Sequence, residues 1–252
     1  MPETSGTTEP AWTSEELAGD PHEREDKPRR VRRMFGAIAG SYDLNNRLHS
    51  FGRDQAWRRR AVALSDVDPG SRVLDVACGT GDLTRAYSHA GASSVTGCDF
   101  TPEMLAIARR KTREPIEYIE ADAMALPFED ASFDVVSIAF GIRNVGDSDT
   151  ALREFARVLA PGGRLVVLEF SEPRNALLRW LNRVYCHRVM PVTATLIARD
   201  RSGAYRYLPR SVSTFLDREE IRGAMERAGV GDVRQHPMTF GVCVCSVGVR
   251  RS

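Results

Sequence analysis

Val73-Leu74-Asp75-Val76-Ala77-Cys78-Gly79-Thr80-Gly81 is the stretch of sequence that decides the fold. Residues 72–77 form a short apolar, β-branched run, which predicts a buried strand, and the glycines after it predict a tight turn. Because glycine has no Cβ, the backbone of such a turn can approach a ligand closely. Residues 82–89 show a helical pattern, and the first N–H groups of that helix would face the same ligand. The stretch therefore predicts a nucleotide-type site between a strand and a helix.

Strand and helix patterns alternate along most of the chain. Strands are predicted at 72–77, 94–99, 116–120, 133–140, 164–170, 233–237 and 242–249, and helices at 82–89, 102–112, 150–159 and 217–228. Thr101 and Asp217 are the predicted N-caps of the second and fourth of these helices. Continuous apolar strands separated by helices indicate a parallel sheet covered on both faces. The predicted fold class is α/β, a seven-stranded Rossmann-like sheet whose two consecutive last strands depart from the simple dinucleotide-binding pattern.

Three acidic residues accompany the glycine turn. Asp99 ends the second strand, 18 residues after Gly81, where a carboxylate can accept hydrogen bonds from both hydroxyls of a ribose. Asp122 and Ala123 follow the third strand, in a position that suits an adenine amino group. Asp75 lies on the approach to the turn, where a negative charge suits an ammonium and a sulfonium better than a pyrophosphate.

Two cofactors compete for these features, NAD and S-adenosylmethionine. Thr84 occupies the position of the third glycine of a G-x-G-x-x-G motif, and that glycine permits close helix–strand packing in dinucleotide folds. Together with Asp75 and Asp122, this favours S-adenosylmethionine, with an NAD-dependent oxidoreductase as the alternative from another class. The five cysteines form no C-x-x-C pair and the five histidines are scattered, so no metal site is expected.

The composition excludes several other classes of protein. The chain has 252 residues, of which 42% are hydrophobic and 27% charged, so it can bury enough apolar surface to form one packed α/β domain. A net charge of +1 argues against a surface built for nucleic acid. There is no early apolar signal segment and no apolar run near the roughly 18 residues that a membrane span needs. We expect a cytoplasmic protein, and peripheral contact with the inner face of the cell membrane stays open at this stage.

Two segments differ in charge from the rest of the chain, one acidic and one basic. Residues 1–28 carry eight acidic and two basic residues, so we predict a disordered acidic tail before a single domain at 29–252. Within that domain, residues 171–216 are predicted to be a helical insertion over the substrate, and 174–210 hold eight arginines against one aspartate. Apolar residues at helical spacing make this insertion typical of a helix on an anionic membrane surface; a solvated lid or a homodimer contact would give the same pattern.

Four blocks of sequence carry a family resemblance. They are residues 31–46 with Ser50-Phe51-Gly52 and Trp57, residues 140–145 (FGIRNV), residues 157–171, and Tyr205-Arg206-Tyr207-Leu208 with Ser211-Val212. With these blocks the chain resembles the class I S-adenosylmethionine methyltransferases, and among them the ubiquinone/menaquinone biosynthesis C-methyltransferase family. The resemblance covers about residues 30 to 250. The glycine turn and Pro161-Gly162-Gly163 occur in many methyltransferases, whereas residues 140–145 and 205–208 are much more specific.

The resemblance implies an activity. It implies transfer of a methyl group from S-adenosylmethionine to a ring carbon of a polyprenylated quinol, in menaquinone biosynthesis, ubiquinone biosynthesis or both. A class I methyltransferase acting on another small molecule is the alternative. Some family members have a serine where this chain has Ala139, which removes one polar contact to the cofactor. The cofactor residues expected from the motif and the resemblance together are Tyr42, Asp75, Gly79, Thr80, Gly81, Asp99, Asp122 and Ala123.

A ring carbon is a weak nucleophile, and this predicts the type of catalytic group. Removing a proton from a ring hydroxyl gives a phenolate, so the site needs a base, or a cation that lowers the phenol pKa. Arg143 is the candidate for holding the phenolate, directly or through water, with a surface ion pair as its structural alternative. Asn144, Tyr205 and Tyr207 are candidates to orient the ring, with core packing as the alternative for the tyrosines. Tyr42 and Asp43 are candidates for closing the N-terminal segment over the cofactor.

Overall fold

One seven-stranded sheet forms the centre of the molecule. The computed structural model describes residues 10–198, 200 and 202–251. The strands are β1 (Arg72–Val76), β2 (Ser94–Asp99), β3 (Glu117–Glu120), β4 (Phe133–Ala139), β5 (Leu159–Phe170), β6 (Val230–Met238) and β7 (Cys243–Arg250). Their order across the sheet is β3-β2-β1-β4-β5-β7-β6. The predicted α/β fold with seven strands is confirmed.

The last two strands reverse direction. Strands β1 to β5 pair in parallel, whereas β7 is antiparallel to both β5 and β6. The short turn Thr239–Gly241 joins β6 directly to β7, and a connection of that length permits only an antiparallel pair. Strand β5 also begins earlier than predicted, because the Pro161-Gly162-Gly163 turn forms an irregularity within the strand and not before it.

Ten α-helices surround the sheet in the described part of the chain. They are α1 (Lys27–Ile38), α2 (Tyr42–His49), α3 (Arg53–Ser65), α4 (Asp82–His89), α5 (Pro102–Lys111), α6 (Ser148–Val158), α7 (Ala176–Val184), α8 (Met190–Ala198), α9 (Ala204–Thr214) and α10 (Arg218–Arg227). The π-helical turn Tyr185–Val189 joins α7 to α8. Asp217 caps α10 as predicted, because its carboxylate accepts from two backbone N–H groups of the first turn. Within the described ranges, no helix combines the length and apolar character that crossing a membrane requires.

The apolar residues of the strands divide between two cores, one on each face of the sheet. Leu74, Val76 and Ile138 pack with the apolar sides of α6 and α10. Val73 and Val135 pack on the other face with the apolar sides of α3 and α4. Because both faces are buried, the strands read as continuous apolar runs. The carboxyl ends of the parallel strands are left to the loops, and the candidate site lies there.

The prediction of a disordered acidic tail is wrong for residues 10–28. Trp12 is completely buried in a core with α1 and α9. Several acids of this segment pair with arginines, among them Glu16 with Arg30 at 2.6 Å. Composition misleads here because one large aromatic ring and a few paired charges are enough to anchor a short segment. Residues 1–9 of that prediction, and Arg199 and Arg201 of the basic segment, lie outside the described residues.

Candidate active site

A cavity opens where the parallel strands end. In doubly wound sheets, ligands bind outside the carboxyl ends of the strands, at the point where strand order reverses. Here that point lies between β1, β2 and β4, whose following loops all contribute to the wall. The cavity is lined by Pro28, Phe35, Tyr42, Val76, Ala77, Gly79, Asp99, Phe100, Thr101, Met104, Ala121, Asp122, Ala123, Met124, Ala139, Phe140, Gly141, Asn144, Val145 and Gly146.

Asp99 is the buried carboxylate of this wall. One of its oxygens accepts from the N–H of Gly79 at 2.8 Å, and the other accepts from the N–H of Thr101 at 2.8 Å. Burial raises the pKa of Asp99, and backbone hydrogen bonds oppose that effect. A carboxylate has about four acceptor positions, so each oxygen keeps one for a ligand. Asp99 is therefore fixed in place and still able to accept from two hydroxyl groups.

The wall next to Asp99 is apolar and ends in a second carboxylate. Phe100, Met104 and Met124 line it, and Ala123 lies between them and Asp122. Asp122 accepts from the N–H of Met124 at 2.9 Å through one oxygen, which leaves the carboxylate at the rim of the cavity. A slot with apolar sides and a hydrogen-bond acceptor at its edge has the character of an adenine site. The predicted positions Asp99, Asp122 and Ala123 are thus brought together.

The opposite wall has an unusual backbone. Ala77, after β1, and Phe140, after β4, both have left-handed conformations, with φ of 51° and 57°. Gly141 follows, and a Cβ on it would lie 2.7 Å from the Cβ of Ala77, so only glycine fits. Non-glycine residues in this region cost about 1–3 kcal/mol and concentrate at functional sites. The loops after β1 and β4 therefore approach each other closely where they line the cavity, and the left-handed residues of these loops carry the strain.

The N-terminal helices close over the cavity. Phe35 of α1 and Tyr42 of α2 line it, with ring centroids 5.9 Å apart in an edge contact. Asp43 accepts from the hydroxyl of Thr80 at 2.6 Å and pairs with Lys111 of α5 at 2.6 Å. Lys111 also pairs with Asp82 at 2.7 Å. These contacts tie α2 to the glycine turn, an arrangement that supports the predicted closing role of Tyr42 and Asp43.

Three predicted cofactor residues are not among those that line the cavity. Asp75 is fully buried, and its two oxygens accept from the hydroxyls of Thr84 (2.7 Å) and Ser137 (2.9 Å). Burial raises the pKa of Asp75 to about 6. The hydroxyl of Thr80 donates a hydrogen bond to Asp43, and Gly81 is the N-cap of α4. In the described structure these residues shape the turn, and Gly79 is the member of the motif that faces the cavity.

Arg143 lies behind the cavity wall and does not line it. Its guanidinium pairs with Glu169 at 2.6 Å and donates to the carbonyl of Phe140 at 2.8 Å, and the residue is 3% exposed. Arg143 therefore forms an ion pair, as its structural alternative predicted, but the pair is buried and does not lie on the surface. Burial raises the pKa of Glu169, and Arg143 opposes that effect. The cation is joined to the cavity wall by its bond to the carbonyl of Phe140, which lines the cavity.

Of the other predicted acceptor-side residues, only Asn144 lines the cavity. Its side-chain amide donates to the carbonyl of Phe140 at 3.2 Å, and its oxygen accepts from the hydroxyl of Tyr207 at 3.0 Å. Tyr207 is fully buried, and its hydroxyl is joined to the cavity wall by this bond to Asn144. Tyr205 is also buried, its hydroxyl has no hydrogen-bond partner within the described ranges, and burial raises its pKa to about 12.

Several residues of the site were not predicted. Phe100 and Met104 could have been found, because they lie one and five residues after the strand-terminal Asp99 in sequence. Lys111 gave no signal, since its partner Asp43 is 68 residues away. Glu169 was only part of a family block, and the structure gives it a role as the partner of Arg143. Among residues 10–198, 200 and 202–251, no group of three or more metal-ligating side chains is assembled.

The sequence of the chain is similar to those of a known methyltransferase family. Residues 23–250 match the model of the ubiE/COQ5 methyltransferase family. The chain belongs to this family. It is 51% identical over 221 residues to the demethylmenaquinone methyltransferase of Thermus thermophilus, covering 86% of this chain and all of that one. It is 42% identical over 232 residues to the ubiquinone/menaquinone biosynthesis C-methyltransferase UbiE of Hahella chejuensis, covering 89% and 93%.

Solved structures agree with the fold of this ubiE/COQ5 family member. A SAM-dependent methyltransferase from Aquifex aeolicus superposes with a TM-score of 0.59 at 17% identity, over 82% of this chain and 97% of that one. Phosphoethanolamine N-methyltransferase 2 of Haemonchus contortus, in complex with S-adenosyl-L-methionine, superposes with a TM-score of 0.53 at 18% identity, over 73% of this chain and 49% of that one. At these identities the likeness shows the class I methyltransferase fold.

Proposed function

We propose that this methyltransferase transfers a methyl group from S-adenosylmethionine to a ring carbon of a polyprenylated quinol. One observation carries the proposal: the cavity that holds the carboxylate of Asp99 is lined on its other side by Asn144 of the family-specific block at residues 140–145. A residue expected to bind the cofactor and a residue expected to bind the acceptor thus line the same cavity. The names of the relatives support a quinol with a menaquinone-type or ubiquinone-type ring.

The residues of the cavity fit S-adenosylmethionine. Asp99 would accept from the ribose hydroxyls and Asp122 from the adenine amino group, with Phe100 and Met104 against the adenine ring. Phe35 and Tyr42 would cover the cofactor from the N-terminal side and exclude water. When bound, the cofactor supplies a methyl group that its sulfonium already activates. What remains for the protein is to position the acceptor and to stabilise its anionic form.

The chain's own residues can favour that anionic form. Asn144 is held from two sides, by the carbonyl of Phe140 and the hydroxyl of Tyr207, so its position at the cavity wall is fixed. Arg143 holds a positive charge behind that wall, in an environment from which water is excluded. A nearby cation lowers the pKa of a phenol. Because Arg143 is buried and paired with Glu169, its position supports an effect through the field of the guanidinium, which Glu169 partly offsets, and not a direct contact with the phenolate.

A contiguous apolar surface supports docking to a membrane, where a prenylated quinol resides. We define the helical apolar surface as the exposed residues Leu44, Leu48, Phe51, Leu177, Trp180, Leu181, Val189, Val192, Leu196 and Ile197. Its elements touch one another: Phe51 packs on Tyr185 with ring centroids 5.8 Å apart, and His49 bonds to Thr193 at 2.8 Å. Exposed apolar patches of this kind are characteristic of interaction sites.

The charges around the helical apolar surface favour an anionic lipid bilayer as its partner. Exposed arginines lie on these elements or next to them in the chain, at positions 47, 53, 174 and 188. Apolar residues with basic residues around them are the composition of helices that lie in the membrane interface. We propose that the surface rests on the inner face of the cell membrane. A second copy of the chain covering the surface would instead appear as a stable dimer in light scattering.

Methylation of a defined quinol tests the proposed function. Purified protein is incubated with S-adenosylmethionine labelled in its methyl group and a short-tailed demethylmenaquinol kept reduced, and the product is analysed by mass spectrometry. We expect a methylated naphthoquinone, and no product from Asp99→Ala, because this variant loses the ribose acceptor. Cofactor binding without product would reject this acceptor and direct the search to benzoquinol precursors, and then to other small molecules.

A further inference from the structure

Residues 10–22 form a strap that lies before the part of the chain that matches the family, residues 23–250. The strap runs along α9, the helix that carries the family-specific tyrosines. Its backbone N–H at Trp12 donates to the carbonyl of Ser202 at 3.0 Å, and Arg210 of α9 donates to the carbonyl of Gly19 at 3.1 Å. Arg206 of α9 donates to Ser14 at 2.6 Å. The strap is therefore bonded to α9 along its length.

Trp12 is the anchor of the strap. Its side chain has no exposed surface, and its ring stacks on Tyr207 with centroids 4.6 Å apart and an interplanar angle of 17°. The guanidinium of Arg30 lies over the same indole, 5.6 Å from the centroid, and Arg30 is itself paired with Glu16 of the strap. Gly203, with φ of 84°, lies so close to the carbonyl of Trp12 that no Cβ would fit.

A chain of contacts leads from Trp12 to the cavity. Trp12 stacks on Tyr207, the Tyr207 hydroxyl donates to Asn144 at 3.0 Å, and Asn144 donates to the carbonyl of Phe140. Asn144 and Phe140 line the cavity. This hydrogen bond joins the Tyr207 hydroxyl to the cavity wall, and the stacked indole of Trp12 packs against the face of the same ring and helps to set its orientation.

We propose that Trp12 is a positioning residue for methyl transfer, acting through Tyr207 on Asn144 at the acceptor side of the cavity. The inference rests on the proposed function, because it assigns the acceptor to the wall that carries Asn144. Trp12 does not line the cavity, so we expect it to affect turnover and to leave cofactor affinity unchanged. The strap thus adds a support for the acceptor site from sequence outside the family match.

A double-mutant cycle tests the coupling. We expect Trp12→Ala and Tyr207→Phe each to lower kcat about tenfold on the short-tailed quinol, with the Kd of S-adenosylmethionine within about twofold of wild type. Because Trp12 acts through Tyr207, adding Trp12→Ala to Tyr207→Phe should cost less than about threefold more. Losses that multiply to about a hundredfold would overturn the proposal. Trp12→Phe, which keeps an aromatic face, should recover most of the turnover.

Hydrogen–deuterium exchange gives a readout that does not need an acceptor. We expect faster exchange across residues 139–146 in Trp12→Ala, and wild-type exchange in Trp12→Phe and in Glu15→Ala, a control at an exposed strap residue. Equal exchange in all variants would overturn the proposal. If the wild-type protein methylates no quinol, the proposed function fails, and the exchange experiment still decides whether Trp12 supports the wall of the cavity.

Discussion

At the scale of single residues, the buried pair of Arg143 and Glu169 carries a large desolvation cost. Taking both charges out of water is unfavourable, and their contact at 2.6 Å offsets this cost only while both partners are present. The second oxygen of Glu169 has no hydrogen-bond partner within the described ranges, so the carboxylate depends on Arg143. A feature with so little stabilising benefit is consistent with a role in activity.

Breaking this pair should destabilise the protein strongly. We expect Arg143→Met to lower the free energy of unfolding by about 3–5 kcal/mol, because it leaves a buried charge unpaired. Glu169→Gln added to Arg143→Met should restore part of the loss. Urea unfolding measures both. The control is Arg72→Met, which breaks a contact of 2.9 Å with Asp134 between half-exposed side chains and should cost about 1 kcal/mol or less. Equal losses for the two arginine variants would contradict the burial argument.

Asp75 should give the stability a defined pH dependence. Burial raises its pKa from 3.8 to about 6 in the folded protein, so the folded state holds a proton that the unfolded chain has already released. The stabilisation is complete below the unfolded pKa and is lost as pH rises through about 6, a change of roughly 3 kcal/mol. We expect urea unfolding from pH 4 to pH 7 to show this fall for the wild type and a flatter profile for Asp75→Asn.

Asp134 provides a control of opposite sign. Its hydrogen bond with Arg72 lowers its pKa, so the stability that it contributes is present at neutral pH and lost on acidification. Asp134→Asn should therefore reduce stability at neutral pH and leave the fall that Asp75 causes in place. Because other carboxylates also titrate in this range, the difference between the wild type and Asp75→Asn is the decisive quantity, and identical pH profiles for the two proteins would contradict a raised pKa for Asp75.

At the scale of elements, α2 is held over the cavity by a small polar cluster. Lys111 of α5 contacts Asp43 of α2 and Asp82 of α4, so one ammonium joins three helices. The hydroxyl of Thr80 completes the tie through Asp43. Because Tyr42 is next to Asp43 on α2, it moves with Asp43, and the cluster therefore also sets how tightly Tyr42 covers the cavity.

Removing the ammonium should speed release of the cofactor. We expect Lys111→Ala to raise the dissociation rate of S-adenosylmethionine about tenfold, because opening α2 no longer breaks charge-assisted hydrogen bonds. Stopped-flow fluorescence can measure this rate. Arg110→Ala is the matched control, since Arg110 is an exposed cation next to Lys111 on the same helix. Unchanged dissociation in Lys111→Ala would mean that packing of Phe35 and Tyr42 alone keeps the cavity closed.

The elements also show why the sequence predicted some parts of the site and missed others. Asp99 and Asp122 were predictable because each ends or follows a strand, and parallel strands bring such positions to one edge. The cluster of Lys111 and Asp43 was not, because nothing in a single sequence links residues that far apart. Asp75 and Arg143 were assigned by motif, and motifs do not report whether a side chain points at the ligand or at a buried partner.

At the scale of the whole molecule, the pattern of strands and helices predicted the fold class, whereas composition misjudged the N-terminal segment. The alternation of apolar strands and helices determined the sheet, and the two final strands were recognised as different in kind. Residues 10–28 were misjudged because an average over the segment conceals Trp12, which stacks on Tyr207 far along the chain. Likewise, the basic segment was recognised from its own residues, whereas Leu44, Leu48 and Phe51 join the same surface only through the fold.

That surface should couple activity to the membrane. We expect Trp180→Ser with Leu196→Ser, at side chains 60% and 72% exposed, to weaken binding to vesicles of anionic lipid about tenfold or more, because each loses a buried apolar side chain in the bilayer. Turnover of a short-tailed quinol in solution should stay at the wild-type level, whereas turnover of a long-tailed quinol in vesicles should fall in proportion to binding. Arg153→Ser, on the exposed side of α6, is the control. If the double variant binds vesicles like the wild type, or loses activity equally on both quinols, the helical apolar surface is not the membrane contact.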